Sequence, residues 1–234
     1  MRNTKSVAVV VPALDEEQAI GRVIADIPDF VDDIVVADNG STDATAAVAR
    51  AAGARIVTER ERGYGAACLA GIAALHDADI VVFLDGDYSD DPAQMALLVD
   101  PIANGTADLV IGSRTQSSQV PGALAHHQRF GNWLACLLIK RIWGVSYTDL
   151  GPFRAIDRRA LERLGMSERT FGWTVEMQIK AARDGLRTLE VPVSYRPRIG
   201  TSKISGTIRG SFNAGRAILG QITRAALRTE KVGR

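Results

Sequence analysis

Two carboxylates separated by one glycine, Asp85-Gly86-Asp87, follow directly on the apolar run Ile80–Leu84. Paired acids at that spacing can hold a hard divalent cation, and the glycine between them lets backbone and ligand approach closely. A cation held there would neutralise a diphosphate leaving group as a Lewis acid. Two other polar clusters also follow apolar runs: Pro12-Ala13-Leu14-Asp15-Glu16 after Val7–Val11, and Asp38-Asn39-Gly40-Ser41-Thr42-Asp43 after Ile34–Ala37. Asp43 and Asp91 are well placed as helix caps or first-turn acids. Capping does not account for Asp85, which ends an apolar run.

These clusters share one edge if the runs are parallel strands. Val7–Val11, Ile34–Ala37, Arg55–Thr58, Ile80–Leu84 and Leu109–Ile111 read as strands, several of them apolar on consecutive residues, as when both faces of a sheet are covered. Helical stretches alternate with them at Glu16–Ile27, Asp43–Ala52, Ala66–Leu75 and Pro92–Ile102, which gives βαβ units and a parallel sheet. Ligands of such sheets bind beyond the carboxyl ends of the strands, where the acids lie. Further along, helices are expected near Arg129–Ile142, Arg158–Leu164 and Val175–Asp184. A turn or strand is expected at Asp149–Ile156, and a late strand at Thr188–Tyr195.

Several classes are excluded. No G-x-G-x-x-G follows the first strand, and no G-x-x-x-x-G-K-[ST] occurs anywhere, against dinucleotide folds and P-loop hydrolases. Cys68 and Cys136 are the only cysteines and have no metal-type spacing, so no disulfide framework is expected. The uncharged apolar stretch Phe130–Ile139 is short of the ~20 residues that span a bilayer, and the chain reads as cytoplasmic. The net charge of +1 hides a split. From Arg196 onward nine Lys/Arg face one acid, whereas the first 195 residues hold 19 basic and 26 acidic residues. The basic end lacks the interleaved aromatics of single-strand nucleic-acid binders, so no nucleic-acid partner is expected.

Between Val7 and Gly206 the chain carries, in order, Pro12–Glu16, Asp38–Asp43, Gly63–Gly71, Asp85–Asp87, Gly112–Arg114, Asp149–Ala155, Gly172–Met177 and Arg198–Gly206. This series resembles a family 2 glycosyltransferase, in particular the branch of dolichyl-phosphate mannose synthases and bacterial polyprenyl-phosphate glycosyltransferases. The resemblance implies a GT-A fold, an α/β architecture with a mostly parallel central sheet and helices on both faces, over residues 1–206. It implies a Mg²⁺- or Mn²⁺-dependent, inverting transfer of sugar from a nucleotide diphosphate to a polyprenyl phosphate. A saccharide or small-molecule hydroxyl acceptor is the alternative, and a non-catalytic sugar-nucleotide or membrane-binding module is the rival class.

The resemblance also distributes roles. Pro12, Ala13, Leu14 and Glu16 would line the nucleoside pocket, Asp38 would read base or ribose, and Gly63 and Gly65 would admit the donor closely. Asp85, Gly86 and Asp87 would face metal and diphosphate, with Ser89 as a further oxygen ligand. Arg114 and Arg129 would engage acceptor phosphate, and Arg198 and Lys203 would close over the diphosphate, as guanidinium forks and ammonium groups suit phosphate. Transfer to a hydroxyl needs a general base, for which the carboxylates Glu176 and Asp149 stand as candidates; a phosphate acceptor, already anionic, would leave Glu176 to orient a basic side chain or cap a helix. Asn39 replaces the second Asp of several relatives, and Gly151-Pro152-Phe153-Arg154 departs from the mannose synthases. Donor base and acceptor therefore stay open.

Two segments carry an expectation of membrane contact. Arg129–Trp143 combines Trp133, Leu134, Leu137, Leu138, Ile142 and Trp143 with Lys140 and Arg141, which suits either a helix packed on the sheet or a face entering lipid. Residues 207–234 read as a basic amphipathic helix, with Ile208, Phe212, Leu219 and Ile222 on one side, drawn peripherally to an anionic membrane surface.

Overall fold

Val7–Ala13 (β1) is buried along all seven residues, as befits an interior strand of the sheet. The computed structural model describes residues 1–116, 126–200, 215 and 218–227, without the side chains of 126–128. From β1 the chain runs through Ile20–Ala25 (α1), Asp33–Asp38 (β2), Thr45–Ala51 (α2), Arg55–Thr58 (β3), Tyr64–Ala74 (α3) and Ile80–Phe83 (β4). A 3₁₀ turn at Pro92–Gln94 leads into Met95–Ala103 (α4), followed by Leu109–Ser113 (β5) and His126–Trp143 (α5). Arg154–Asp157 (β6), Arg158–Leu164 (α6), Trp173–Arg183 (α7) and Thr188–Pro192 (β7) complete the named elements.

The sheet order is β3-β2-β1-β4-β6-β5-β7. Only β6 runs against its neighbours, pairing antiparallel with both β4 and β5. The mostly parallel expectation therefore holds, and the carboxyl ends of the other strands gather at one edge. The consecutive apolar residues of β1 divide between two cores. Val9 and Val11 pack with α1 and α4 on one face, whereas Val10 packs with Phe83, Ile111, Ile139 and Trp173 on the other.

One helix starts later than expected. α1 starts at Ile20 rather than Glu16: residues 14–19 form bends and a turn at the sheet edge, where the Glu16 N–H donates to Thr45 Oγ1 (2.7 Å). The helix expected near Arg129–Ile142 is present as α5, described from His126. Near the C-terminus residues 218–227 are helical, but Ile222 is buried in the second core while Leu219 is exposed, so these two do not share a free face. Lys203, Ile208 and Phe212 lie outside the described residues, and no described helix is long and apolar enough to cross a membrane.

Candidate active site

Cross-links between the loops shape the sheet edge. Asp15 adopts a left-handed backbone (φ 52°), and its Oδ1 accepts from the Thr42 N–H (2.7 Å), tying the loop after β1 to the loop after β2. Beyond β4, Asp87 Oδ1 accepts from the Ser89 N–H (2.9 Å), and Tyr88 is again left-handed (φ 63°). The segment after β7 lies across this loop: Arg196 N–H donates to Ser89 O and Ile199 N–H to Asp87 O, each at 3.0 Å. The Arg196 guanidinium sits 3.8 Å from the Tyr88 ring centroid.

These constraints enclose a cavity of ≈ 390 Å³ lined by Pro12, Ala13, Leu14, Glu16, Gly63, Asp85, Gly86, Asp87 and Arg198, all expected from the sequence. Asn39, Arg62, Tyr64, Ala67, Thr170 and Phe171 complete its lining. Asp38 is buried beside it, accepting from the Ser41 N–H, and Ser89 is buried behind the Asp87 loop; neither lines the cavity. Arg129 is exposed on α5.

The cavity's acids are short of positive charge. Burial and the neighbouring Asp87 push the Asp85 carboxyl up to about 7, against the Tyr64 hydroxyl that donates to its Oδ1 (3.0 Å) and the charges of Arg114 and Arg198. Arg198 bridges Glu16 (2.8 Å) and Asp87 (3.0 Å). Behind them the Asp90 carboxyl is buried without a hydrogen-bond partner among the described residues, and burial followed by Asp85 pushes it well up. Among the described residues no three His, Cys, Asp or Glu side chains form a metal cage. Two hard carboxylates do fit a cation whose remaining positions are filled by other oxygens, such as those of a diphosphate.

On the β5 side, Arg114 and Asp149 form a bidentate pair: Nε and Nη2 donate at 2.9 and 2.8 Å, and the Arg114 backbone N–H donates at 2.8 Å. Burial opposes both charges, but each outweighs it for the other, holding Asp149 below and Arg114 above its ordinary value. The guanidinium also lies 5.0 Å from the Tyr195 ring centroid.

The family model described as Glycosyl transferase family 2 matches residues 8–165. The chain belongs to this family. An uncharacterized glycosyltransferase of Mycobacterium tuberculosis is 39% identical over 213 residues, covering 89% of this chain and 94% of its own. The dolichyl-phosphate hexose transferase of Haloferax volcanii is 34% identical, with 94% and 93% covered, and the undecaprenyl-phosphate mannosyltransferase of Micrococcus luteus 31%, with 87% and 89% covered. Among solved structures, glucosyl-3-phosphoglycerate synthase of M. tuberculosis in complex with Mn²⁺, UDP and glucosyl-3-phosphoglycerate superposes with a TM-score of 0.76 at 26% identity, over 95% of this chain and 80% of that one. The molecule is a glycosyltransferase with the GT-A fold.

Two residues of the transferase, Glu176 and Gly65, are placed differently from the roles the resemblance implied. Glu176 does not line the cavity. Its carboxylate accepts from Ser167 N–H, Ser167 Oγ (2.8 Å) and Glu168 N–H (2.8 Å) and pairs with Lys180 (2.9 Å), partners that outweigh burial and hold it below its ordinary value. Gly65 admits the chain's own backbone rather than a ligand, since a Cβ there would lie 2.1 Å from Glu168 O. Gly63 both lines the cavity and meets that segment, its Cβ position 2.1 Å from Arg169 O. The first turn of α3 is satisfied in the same way: Gly65 and Ala66 N–H donate to Thr170 O and Arg169 O. Glu176 thus anchors the 167–170 segment on which the Thr170–Phe171 wall depends.

The Asn39 side chain uses both ends of its amide. Its Nδ2 donates to Glu59 O (3.1 Å) and Glu61 O (2.7 Å), and its Oδ1 accepts from the Gly63 N–H (2.8 Å). A carboxylate could satisfy only the last of these. This approach of residues 59–63 and 167–171 had no local signal in the sequence beyond the two glycines.

Proposed function

We propose that the transferase moves a sugar from a UDP- or GDP-linked donor to a polyprenyl phosphate, with inversion, at the cytoplasmic face of a membrane. The carrying observation is that both candidate bases are already committed, Asp149 to Arg114 and Glu176 to Ser167, Glu168 and Lys180. A hydroxyl acceptor needs a base to take its proton, whereas a phosphate is anionic near neutral pH and attacks without one. The two polyprenyl-type relatives support the same acceptor class.

In this mechanism the nucleoside end lies against Pro12–Leu14 and the Asn39-held loop. Asp85 and Asp87 would hold Mg²⁺ or Mn²⁺, which supplies Lewis-acid neutralisation of the departing diphosphate. Arg198 adds positive charge on the same side. Arg114, fixed by Asp149 and Tyr195, presents charge to the acceptor phosphate and orients its attacking oxygen. On the resemblance, Lys203 and Arg129 would add to the two phosphate contacts.

A second reading, transfer to a hydroxyl of a phosphorylated small molecule, is favoured by the likeness to glucosyl-3-phosphoglycerate synthase. A screen of UDP- and GDP-sugars with Mn²⁺ or Mg²⁺ against lipid phosphate, phosphoglycerate and saccharide acceptors, read by product mass, separates the two. A glycosylated lipid phosphate, absent with Asp87→Ala, supports the first reading; product only with hydroxyl acceptors rejects it.

A further inference from the structure

Arg198 holds the oxygen that a cation at Asp85 and Asp87 would need. One nitrogen of its guanidinium, Nη2, lies 3.0 Å from Asp87 Oδ2 and 2.8 Å from Glu16 Oε1. Both carboxylates are buried, so each requires a counter-charge in place. The other Asp87 oxygen, Oδ1, already accepts from the Ser89 N–H (2.9 Å). The backbone on either side of Arg198 is fixed to the same loop, since Arg196 N–H donates to Ser89 O and Ile199 N–H to Asp87 O. The Arg198 side chain can therefore exchange partners while that backbone stays in place. Its Nε is buried without a hydrogen-bond partner among the described residues, a donor left over for an anionic oxygen.

We propose that Arg198 is a stand-in cation: it neutralises Asp87 beside Glu16 in the empty cavity, and it leaves Asp87 when a divalent ion takes that carboxylate and a nucleoside diphosphate takes the guanidinium. A divalent ion entering alone must compete with the guanidinium for Asp87 Oδ2 and sets two positive charges on one carboxylate. A diphosphate entering alone must draw Arg198 from a buried acid that then lacks a counter-charge. When both enter, each removes the obstacle to the other. The ion replaces the guanidinium on Asp87, and the phosphate oxygens receive the guanidinium, Nε included. The two ligands therefore bind cooperatively, and the coupling is reciprocal. Arg198 reaches the diphosphate only when the ion is in place. The inference deepens the donor side of the reading above and rests on it for metal and nucleotide, whereas the acceptor plays no part in it.

The test titrates the full chain with Mn²⁺, read by the electron paramagnetic resonance signal of the free ion, with and without saturating UDP or GDP and without acceptor. Wild type should bind Mn²⁺ about a hundredfold tighter with the nucleotide than alone. Arg198→Gln should bind Mn²⁺ alone about tenfold tighter than wild type and gain about tenfold less from the nucleotide. Arg198→Lys, which keeps a point charge, should tighten Mn²⁺ binding less than Arg198→Gln does. Adding Asp87→Ala to Arg198→Gln should abolish the tightening. Arg62→Gln removes an exposed cation from the same cavity lining and should change Mn²⁺ affinity by less than about twofold, because its charge is screened. Mn²⁺ affinities of Arg198→Gln and Arg198→Lys at or below that of wild type, with unchanged circular dichroism, overturn the proposal. Equal tightening in Arg62→Gln does so too, since it would show a general effect of charge. Wild type that binds no Mn²⁺ even with UDP or GDP overturns the metal-dependent donor reading and this proposal with it, whereas the other two results overturn this proposal alone.

Discussion

Replacing Glu176 by Gln separates a catalytic base from an anchor of the cavity wall. The carboxylate accepts two backbone N–H groups and the Ser167 hydroxyl, and it pairs with Lys180. Gln retains one acceptor oxygen and turns an NH₂ group towards a buried donor. Losing a hydrogen bond to a charged group and leaving a donor unsatisfied costs about 2–4 kcal/mol in all. In a chain of this length that lowers Tm by about 5–15 °C. The difference depends on pH in a defined direction. The carboxyl is held below its ordinary 4.5, so its stabilising effect is complete above that value and is lost as pH falls through the folded-state value. The Tm gap between wild type and Glu176→Gln should therefore be widest near pH 7 and close in acid. For activity, the anchor role predicts a donor KM raised about tenfold through the Thr170–Phe171 wall, with kcat within about threefold, whereas loss of a base costs about 10²–10⁴ in kcat. Steady-state kinetics well below the variant's Tm, beside thermal melts at pH 7 and pH 4, provide the readout. A kcat loss of a hundredfold or more with unchanged KM, in folded protein, would refute the reasoning.

Asn39→Asp should raise donor KM by about tenfold and lower Tm, since the carbonyls of Glu59 and Glu61 lose their donors and face a carboxylate; titration of nucleotide binding by calorimetry checks this. Gly65→Ala should destabilise by more than about 2 kcal/mol, as its Cβ meets backbone, whereas Gly131→Ala, in open space within α5, should be neutral or stabilise by up to about 1 kcal/mol; urea melts compare them. Asp149→Asn leaves the Arg114 guanidinium buried and half-paired, which should cost about 3–5 kcal/mol and raise KM for the acceptor more than for the donor.

The legible part of the molecule was the part governed by local pattern. Consecutive apolar residues in β1 and β4 marked a sheet covered on both faces, and parallel strands alone sufficed to bring Pro12–Glu16 and Asp85–Asp87 to one edge. Long-range contacts decided the rest. Residues 14–19, expected in part as the first turn of α1, form a loop whose Glu16 N–H meets Thr45, 29 residues away. Tyr64 reaches Asp85 only because α3 lies against the 168–170 backbone, a packing that two glycines permit without revealing. The acids looked alike in the sequence, yet Asp85 and Asp87 enter the cavity while Asp149 and Glu176 are consumed by partners. The basic tail has likewise divided: Arg198 closes the cavity, Arg196 stacks on Tyr88, and Arg224 lies 3.5 Å from Glu168.

The central claim is a transfer to phosphate that uses no protein base. Its most direct test offers the transferase two acceptors that differ in one group, a polyprenyl phosphate and the corresponding polyprenol, with the same nucleotide sugar and Mn²⁺ and with products read by mass. Glycosylated polyprenyl phosphate with no glycosylated polyprenol is the predicted result; comparable glycosylation of the polyprenol would contradict it.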